Sequence, residues 1–257
     1  MRDMGLSEAI HAVGGVSELA RRIGISQPAV TNWDRVPAER VLAVEAVSGV
    51  PRVRLRPDLY REQPMSEVDE IDAARAQEYA LLSALLVRAP DARLLGRLAK
   101  LEGDETPLGR AHRALAEAAA RSDAPRVERE YFNLFIGVGR GELMPYGSYY
   151  LTGFLYERPL ARLRADLEAL GIERAENNLE PEDHAATLCE VMAEIVAGRM
   201  PAPDDAQRKM FEKHIASWFT RFFSDLEKAE AADFYRAVGT LGRTFIEIET
   251  QAFALPG

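Results

Sequence analysis

The sequence predicts an all-α protein built from two domains, and three observations lead there. Apolar residues recur at intervals of three and four over Leu6–Val13, Ser17–Ile23, Ala38–Val47, Glu78–Val87, Leu160–Leu170, Ala185–Val196 and Phe234–Ile248. No alternating apolar run is bounded by hairpin turns, so no sheet is expected. The 257 residues exceed the ~150 usual for one domain, and Arg61-Glu62-Gln63-Pro64-Met65-Ser66-Glu67 is polar and proline-containing, as a linker would be. We therefore expect a small domain over residues 1–63 and a larger helical one over residues 64–257.

Charge separates the same two parts. Residues 1–63 carry a balance of +1 and the remainder a balance of −10. The acidic second part repels nucleic acid and favours cationic partners. No run of ~18 apolar residues is present, so no membrane insertion is expected. The N-terminal MRDMGLSEAIHAV lacks the basic-then-apolar order of an export signal. Cys189 is the only cysteine, which forbids an internal disulfide and fits a reducing compartment. These features point to the cytoplasm. The four histidines are scattered, so no metal site is expected.

In the first domain, Ser17 is placed to cap a short helix that ends near Ile23. Gly24 supplies a left-handed turn, and Ser26 is placed to cap the next helix. Ala20, Gly24 and Val30 stand where a helix-turn-helix needs a small residue, a turn glycine and an apolar plug, with Ile25 and Trp33 completing a small core. Residues 5–60 resemble the Cro/CI-like repressors, most closely the small YdaS-type members. That resemblance implies base contacts from Gln27, Thr31 and Asn32, with Arg35 and Arg40 near phosphates, and operator DNA as a partner of a homodimer. Pro28 and Asp34 depart from the pattern, since one offers no polar contact and the other brings a negative charge beside the recognition helix. The other reading of this domain is a helix-turn-helix kept for dimerisation or docking.

Beyond the linker, breaks near Ala89-Pro90, Gly103-Asp104, Ser122–Pro125, Gly137–Pro145, Gly171–Pro181 and Gly198–Pro203 separate about eight or nine helices. Two segments carry chemistry. Residues 131–150 read YFNLFIGVGRGELMPYGSYY, and eight of the chain's twenty aromatic residues lie between Tyr131 and Tyr156. Thirty residues on stands Leu179-Glu180-Pro181-Glu182-Asp183-His184. Gly137-Val138-Gly139-Arg140-Gly141 lacks the Lys-Ser/Thr of a phosphate loop and follows no strand, so it reads as a helix-breaking loop. An aromatic, glycine-punctuated loop beside carboxylates suits a surface for an apolar, cationic peptide. No base–nucleophile pair is present, so no enzyme is expected.

An aromatic helix, a glycine-rich turn and then Pro-aromatic-x-Ser-x-Tyr resembles the TorD/DmsD family of chaperones for molybdenum oxidoreductases exported by the twin-arginine route. The pattern appears as Tyr131, Phe135, Gly137, Gly141, Glu142, Pro145, Tyr146, Ser148 and Tyr150. The family's second motif, Glu-Pro-x-Asp-His, stands as Glu180, Pro181, Asp183 and His184. The likeness covers roughly Glu78 to Phe253, with Val138 where relatives usually have proline. It implies an all-helical, non-catalytic domain without a cofactor of its own. Its partner is a molybdoenzyme catalytic subunit and that subunit's twin-arginine signal peptide, held until molybdopterin is inserted. It implies a peptide site of Tyr131, Phe135, Glu142, Pro145, Tyr146, Ser148, Tyr150, Glu180, Asp183 and His184. Such a peptide needs carboxylates for its guanidinium groups and an apolar groove beside them.

Structural readings stand beside these. Glu182 and Asp183 also make a good helix start after Pro181. We read Glu182 as structural and place Asp183 and His184 on a solvent-facing first turn. Phe132, Leu134 and Phe154 read as core. One of Tyr149 and Tyr150 is expected to be buried. Phe211, Trp218, Phe219, Phe222 and Phe223 form a second aromatic stripe, read as packing. The remaining alternative is a transcription regulator whose second domain senses apoenzyme.

Overall fold

A computed structural model describes residues 3–59, 67–173 and 180–255. The predicted linker, apart from Glu67, and the predicted boundary between residues 63 and 64 lie outside the described residues, as does Leu179. The chain divides into two compact units, Met1–Glu67 and Val68–Gly257. The described residues of both are helical and contain no strand.

The first unit contains α1 (Met4–Val13), α2 (Val16–Arg22), α3 (Gln27–Thr31), a 3-10 turn (Ala38–Arg40) leading into α4 (Val41–Ser48), and α5 (Arg52–Leu55). The Asp3 carboxylate caps α1 by accepting from the Gly5 N–H at 2.9 Å. Gly5 has a second duty: a Cβ there would lie 2.1 Å from the Arg54 carbonyl oxygen, so only glycine lets α1 rest against α5. Leu6, Leu19, Val30, Val36, Val44 and Leu55 are fully buried, with Ile25 and Trp33 packed at the edge of this core as expected. Gly24 adopts the left-handed conformation (φ 73°). Ser17 is not a cap, because α2 begins one residue earlier with Gly15 before it. Ser26 does precede α3, although its side chain makes no capping bond.

The second unit opens with the long α6 (Glu67–Val87), α7 (Ala92–Leu98), α8 (Pro107–Ala120) and α9 (Ala124–Tyr131). Asp91, Thr106 and Asp123 cap α7, α8 and α9 through their side chains. A π turn (Phe132–Ile136) prolongs α9. After the glycine loop come α10 (Gly147–Thr152), α11 (Arg158–Ala169), α12 (Ala185–Val196), α13 (Ala206–Met210) with a second π turn (Phe211–Ile215), α14 (Phe219–Lys228) and α15 (Phe234–Ala254). The second aromatic stripe is packing as expected: Phe211, Trp218, Phe219, Phe222 and Phe223 are all buried. A Cβ at Gly242 would fall 2.2 Å from the Phe223 ring, so α15 approaches α14 closely because that position is bare.

Two buried carboxylates hold α15. At its start, Glu130 of α9 accepts from the N–H groups of Asp233, Phe234 and Tyr235 at 2.8, 3.1 and 2.7 Å. That satisfies donors which have no partner within the helix and places a negative charge at the positive end of its dipole. Near its far end, Glu249, 1% exposed, takes both Nε and Nη2 of Arg75 at 2.8 Å and the Tyr79 hydroxyl at 2.9 Å. Arg75→Met would leave that carboxylate buried without its cation. It should destabilise the second unit by about 3–5 kcal/mol, read as a lowered melting temperature in circular dichroism. A melting temperature equal to wild type would show that Glu249 is not held by Arg75.

Candidate functional site

The aromatic loop and the acidic helix start, thirty residues apart in sequence, are joined in the structure. The π turn closes with the Gly137 N–H on the Phe132 carbonyl at 2.6 Å, an i→i+5 bond that adds one residue to the turn and rotates the chain beyond it. The loop then folds back on that turn. A Cβ at Gly141 would come within 2.6 Å of the Leu134 carbonyl oxygen, and one at Gly137 within 2.0 Å of the Arg140 carbonyl oxygen. The glycines therefore serve close backbone packing, in agreement with a helix-breaking loop.

Residues 145–148 next lie against residues 183–185. Tyr146 and His184 form an isolated antiparallel bridge. The Gly147 N–H donates to the Asp183 carbonyl at 2.9 Å, and the Ala185 N–H donates to the Pro145 carbonyl at 2.8 Å. Asp183 Oδ2 also accepts from the Ser148 N–H at 2.6 Å, capping α10 from a distant segment. Asp183 Oδ1 and Ser148 Oγ are both buried with no hydrogen-bond partner. His184 caps α12, its Nδ1 accepting from the Ala186 N–H at 3.1 Å. The ring must be neutral to accept there, and burial lowers its pKa. The Tyr146 ring meets the His184 ring edge-on, with centroids 5.1 Å apart, and its hydroxyl donates to the Glu180 carboxylate at 2.5 Å. Burial and the nearby Glu180 charge raise the Tyr131 hydroxyl to about 12.

Several sequence expectations are corrected by this geometry. Asp183 and His184 are buried (3% and 8% exposed) instead of solvent-facing, because the 145–148 segment covers the first turn of α12. Pro145 and Ser148 are buried with them. Glu142 clamps the turn before α15, accepting from the N–H groups of Glu230 and Ala231 at 2.6 and 3.0 Å. Leu134 is core, as expected, but Phe132 and Phe154 are exposed at 41% and 69%. Both Tyr149 and Tyr150 are half-buried. Tyr150 stacks on Trp218 and donates to Asp225 at 3.1 Å, while Tyr149 lies beneath the Arg140 guanidinium. Glu182 is structural, bonded by Arg164 at 2.9 and 3.0 Å. Tyr131 and Phe135 pack against each other and on Tyr235.

The surface left open to solvent differs from the one the motifs suggested. Phe132, Ile136, Val138, Leu151, Phe154 and Tyr156 are exposed apolar or aromatic side chains on and after the same two elements. Tyr156 adopts φ 62°, a conformation that a bulky residue avoids without support. Sequence reasoning missed Ile136 because the π turn breaks the 3.6-residue phase on which a helical face is assigned, and Phe154 and Tyr156 because they lie in the turn after α10, where no helical face assigns a side. Val138, unpackable in a glycine loop, was the one local signal. On the other side of the joint, Gly147, Asp183, Leu163, His214 and Trp218 line a cavity of about 500 Å³, in the range of small-ligand clefts.

In the first unit, Gln27, Thr31 and Asn32 are exposed on and just after α3, with Pro28 beside them. Thr31 Oγ1 donates to the Gln27 carbonyl at 3.0 Å. Arg35 lies 3.4 Å from Asp58, and Arg40 is exposed. Arg21 and Arg22 are bound by Glu18, Arg52 by Glu45 and Arg54 by Glu8.

Comparison with known proteins assigns each part a likeness. Residues 101–224 match the family of the nitrate reductase delta subunit, and residues 6–64 match the family of the bacterial toxin YdaS. The chaperone protein TorD of Vibrio cholerae is 26% identical over 205 residues, covering 71% of this chain and 93% of its own. A protein of Haemophilus influenzae named for the Tat proofreading chaperone DmsD is 26% identical over 132 residues, 51% of this chain and 63% of its own. A crystal structure from Archaeoglobus fulgidus, assigned as a redox enzyme maturation protein, aligns with a TM-score of 0.47 at 20% identity, covering 75% of this chain and 99% of its own. The chain thus carries a YdaS-type segment followed by a segment of the nitrate reductase delta subunit type, and the latter is similar to TorD and DmsD chaperones, as its two motifs indicate. These named relatives are chaperones, not catalysts.

The joint can be probed at two positions. Asp183→Ala strands the Ser148 N–H and should cost about 1–3 kcal/mol, seen as a lower melting temperature; an unchanged one would place the strength of the joint elsewhere. The His184 cap is present above the ordinary imidazole value of 6.5 and erodes as pH falls from there toward the lowered folded pKa. His184→Asn, a cap without a proton to gain, should therefore lose less stability than wild type between pH 7 and pH 5 in thermal melts. Parallel curves for the two proteins would contradict this.

Proposed function

We propose that this chain is a cytoplasmic chaperone that binds the twin-arginine signal peptide and the apo form of a molybdenum oxidoreductase subunit, holding it from export while its cofactor is inserted. The observation that supports this reading is the joint between Tyr146 and His184, at which the exposed Glu180 carboxylate accepts from the Tyr146 hydroxyl, on a part of the chain that also carries unburied apolar side chains. A guanidinium meets Glu180 with a charge-assisted hydrogen bond. It can also stack on the open Tyr156 or Phe154 ring. The apolar stretch next to the arginines in such a peptide lies against Phe132, Ile136 and Val138, removing from water surface that a free chaperone exposes. Tyr131, Phe135 and Tyr150 position these elements from behind, as do Asp183 and His184. The chain's own residues hold and orient a peptide; no bond is made or broken.

Calorimetry of the full chain with a synthetic peptide of two arginines and an apolar segment is the test. Binding should be weakened only partly by salt, and its absence at about 100 times ~1 μM would end the proposal. Glu180→Gln should weaken binding about tenfold, since a hydrogen bond to a charged group contributes about 1.5–3 kcal/mol. Phe154→Ala should weaken it further without altering the fold.

A second reading, regulation of transcription, is favoured by the open face of α3 in the first unit. With most of its described arginines against neighbouring carboxylates, that unit has Arg40 and little else among them for phosphates, so Gln27, Thr31 and Asn32 would supply most of any affinity. Two copies are needed to reach major grooves ~34 Å apart. Footprinting should show a short inverted repeat with a shallow salt dependence, and Gln27→Ala should abolish preference for it. If no inverted repeat is enriched genome-wide, the domain is a docking or dimerisation module.

A further inference from the structure

One groove is lined by none of the residues proposed above to hold a twin-arginine peptide. It lies between α11 and α12 and encloses about 530 Å³. Its floor is apolar: Leu167 of α11, Ile172 just beyond it, Val191 of α12 and Met200. Its rim is acidic, formed by Glu173, Glu182, Glu190 and Glu194. Arg164 neutralises Glu182, and Arg199 holds Glu194 at 2.7 and 2.9 Å. Glu173 and Glu190 are exposed and bond to none of the described residues.

The placement of these acids works against the helix that bears them. Glu190 and Glu194 stand one turn apart on α12, a like-charge spacing that destabilises a helix. Glu194 lies in the last turn, where the dipole disfavours negative charge, and that turn has no basic residue of its own. Thr187, Glu190, Val191 and Glu194 share one face at helical spacing, so the acids flank the apolar floor. Arg199 offsets the charge of Glu194, but Glu190 has no such compensation, and where a sequence breaks a local rule in that way the reason is sought in function.

We propose that this groove is a second docking surface, distinct from the aromatic face, and that its occupant is an amphipathic cationic segment of a partner protein. Two or three apolar side chains of that segment fill the floor, and lysine or arginine flanking them pairs with Glu173 and Glu190. Charge complementarity selects this occupant: an acidic or purely apolar segment would leave two carboxylates desolvated and unpaired. Glu182, already paired with Arg164 in the wall of the groove, is not counted among the acids that meet the segment.

The probe is a fluorescein-labelled fourteen-residue peptide of leucine and lysine in amphipathic helical order, titrated into the full chain by fluorescence anisotropy. A scrambled peptide of the same composition and an acidic one with glutamate for lysine serve as controls. The ordered cationic peptide should bind, weaken with salt, and lose roughly fivefold to tenfold in affinity to Glu173→Gln/Glu190→Gln, as expected for two rim pairs. Both positions are exposed and Glu190→Gln relieves repulsion with Glu194, so the melting temperature of that variant should be no lower than wild type. Met200→Ser tests the floor independently and should also weaken the probe. Glu180→Gln and Phe154→Ala should leave the probe unaffected while weakening the twin-arginine peptide, so the two surfaces fail separately. Equal binding of the scrambled or acidic peptide, or indifference to Glu173→Gln/Glu190→Gln, would overturn the proposal. So would sedimentation showing that the groove joins two copies of this chain, with the double variant dissociating them.

Discussion

The site of the second unit depends on one buried carboxylate. Asp183 receives the Gly147 N–H on its carbonyl and the Ser148 N–H on its side chain, so a single residue ends the acidic motif, starts α10 and locks the two segments together. Glu180, three residues before Asp183, and α10, which begins on the Asp183 carboxylate, both take their positions from that lock. The lock is incompletely satisfied, since Asp183 Oδ1 and Ser148 Oγ have no partner. Most buried polar groups are paired, and an unpaired set at the junction of two motifs marks a place where packing was not optimised for stability alone.

Carboxylates are divided between framework and surface in a way that residue type does not reveal. Glu130 and Glu142 both clamp the segment leading into α15, one on its first N–H groups and the other on the turn before it. Glu249 neutralises Arg75 inside the unit. Glu180, Glu173 and Glu190 remain at the surface, each beside apolar side chains. The acidic balance of the second part of the chain is therefore partly structural, and the part left over is what can attract a cationic partner.

The first unit takes the opposite course. Its arginines are spread over the surface, but Glu18, Glu45, Glu8 and Asp58 lie against most of them. Exposed pairs of this kind contribute little stability. Their larger consequence is for long-range attraction, because a paired arginine projects little field toward a polyanion. The helix-turn-helix geometry is present, while most of the described arginines lie against a carboxylate of the same unit.

Much of this protein was legible in its sequence. Helical periodicity marked α12 to the residue, α1, α2, α4 and α11 within a few residues, and the second half of α6 and most of α15, but not α8 or α14; glycines at 24 and 137 foretold backbone turns that only they adopt easily. Two ordered motifs pointed to the TorD and DmsD chaperones before any coordinates. These features are local: hydrogen bonds between residues a few positions apart and the conformational limits of single residues decide them. The tertiary structure alone decided that Asp183 and His184 are buried, that Glu142 is a clamp, and that Phe132 and Phe154 face solvent. Burial is set by what covers a residue, and for Asp183 and His184 the cover comes from a segment thirty-five residues away in sequence.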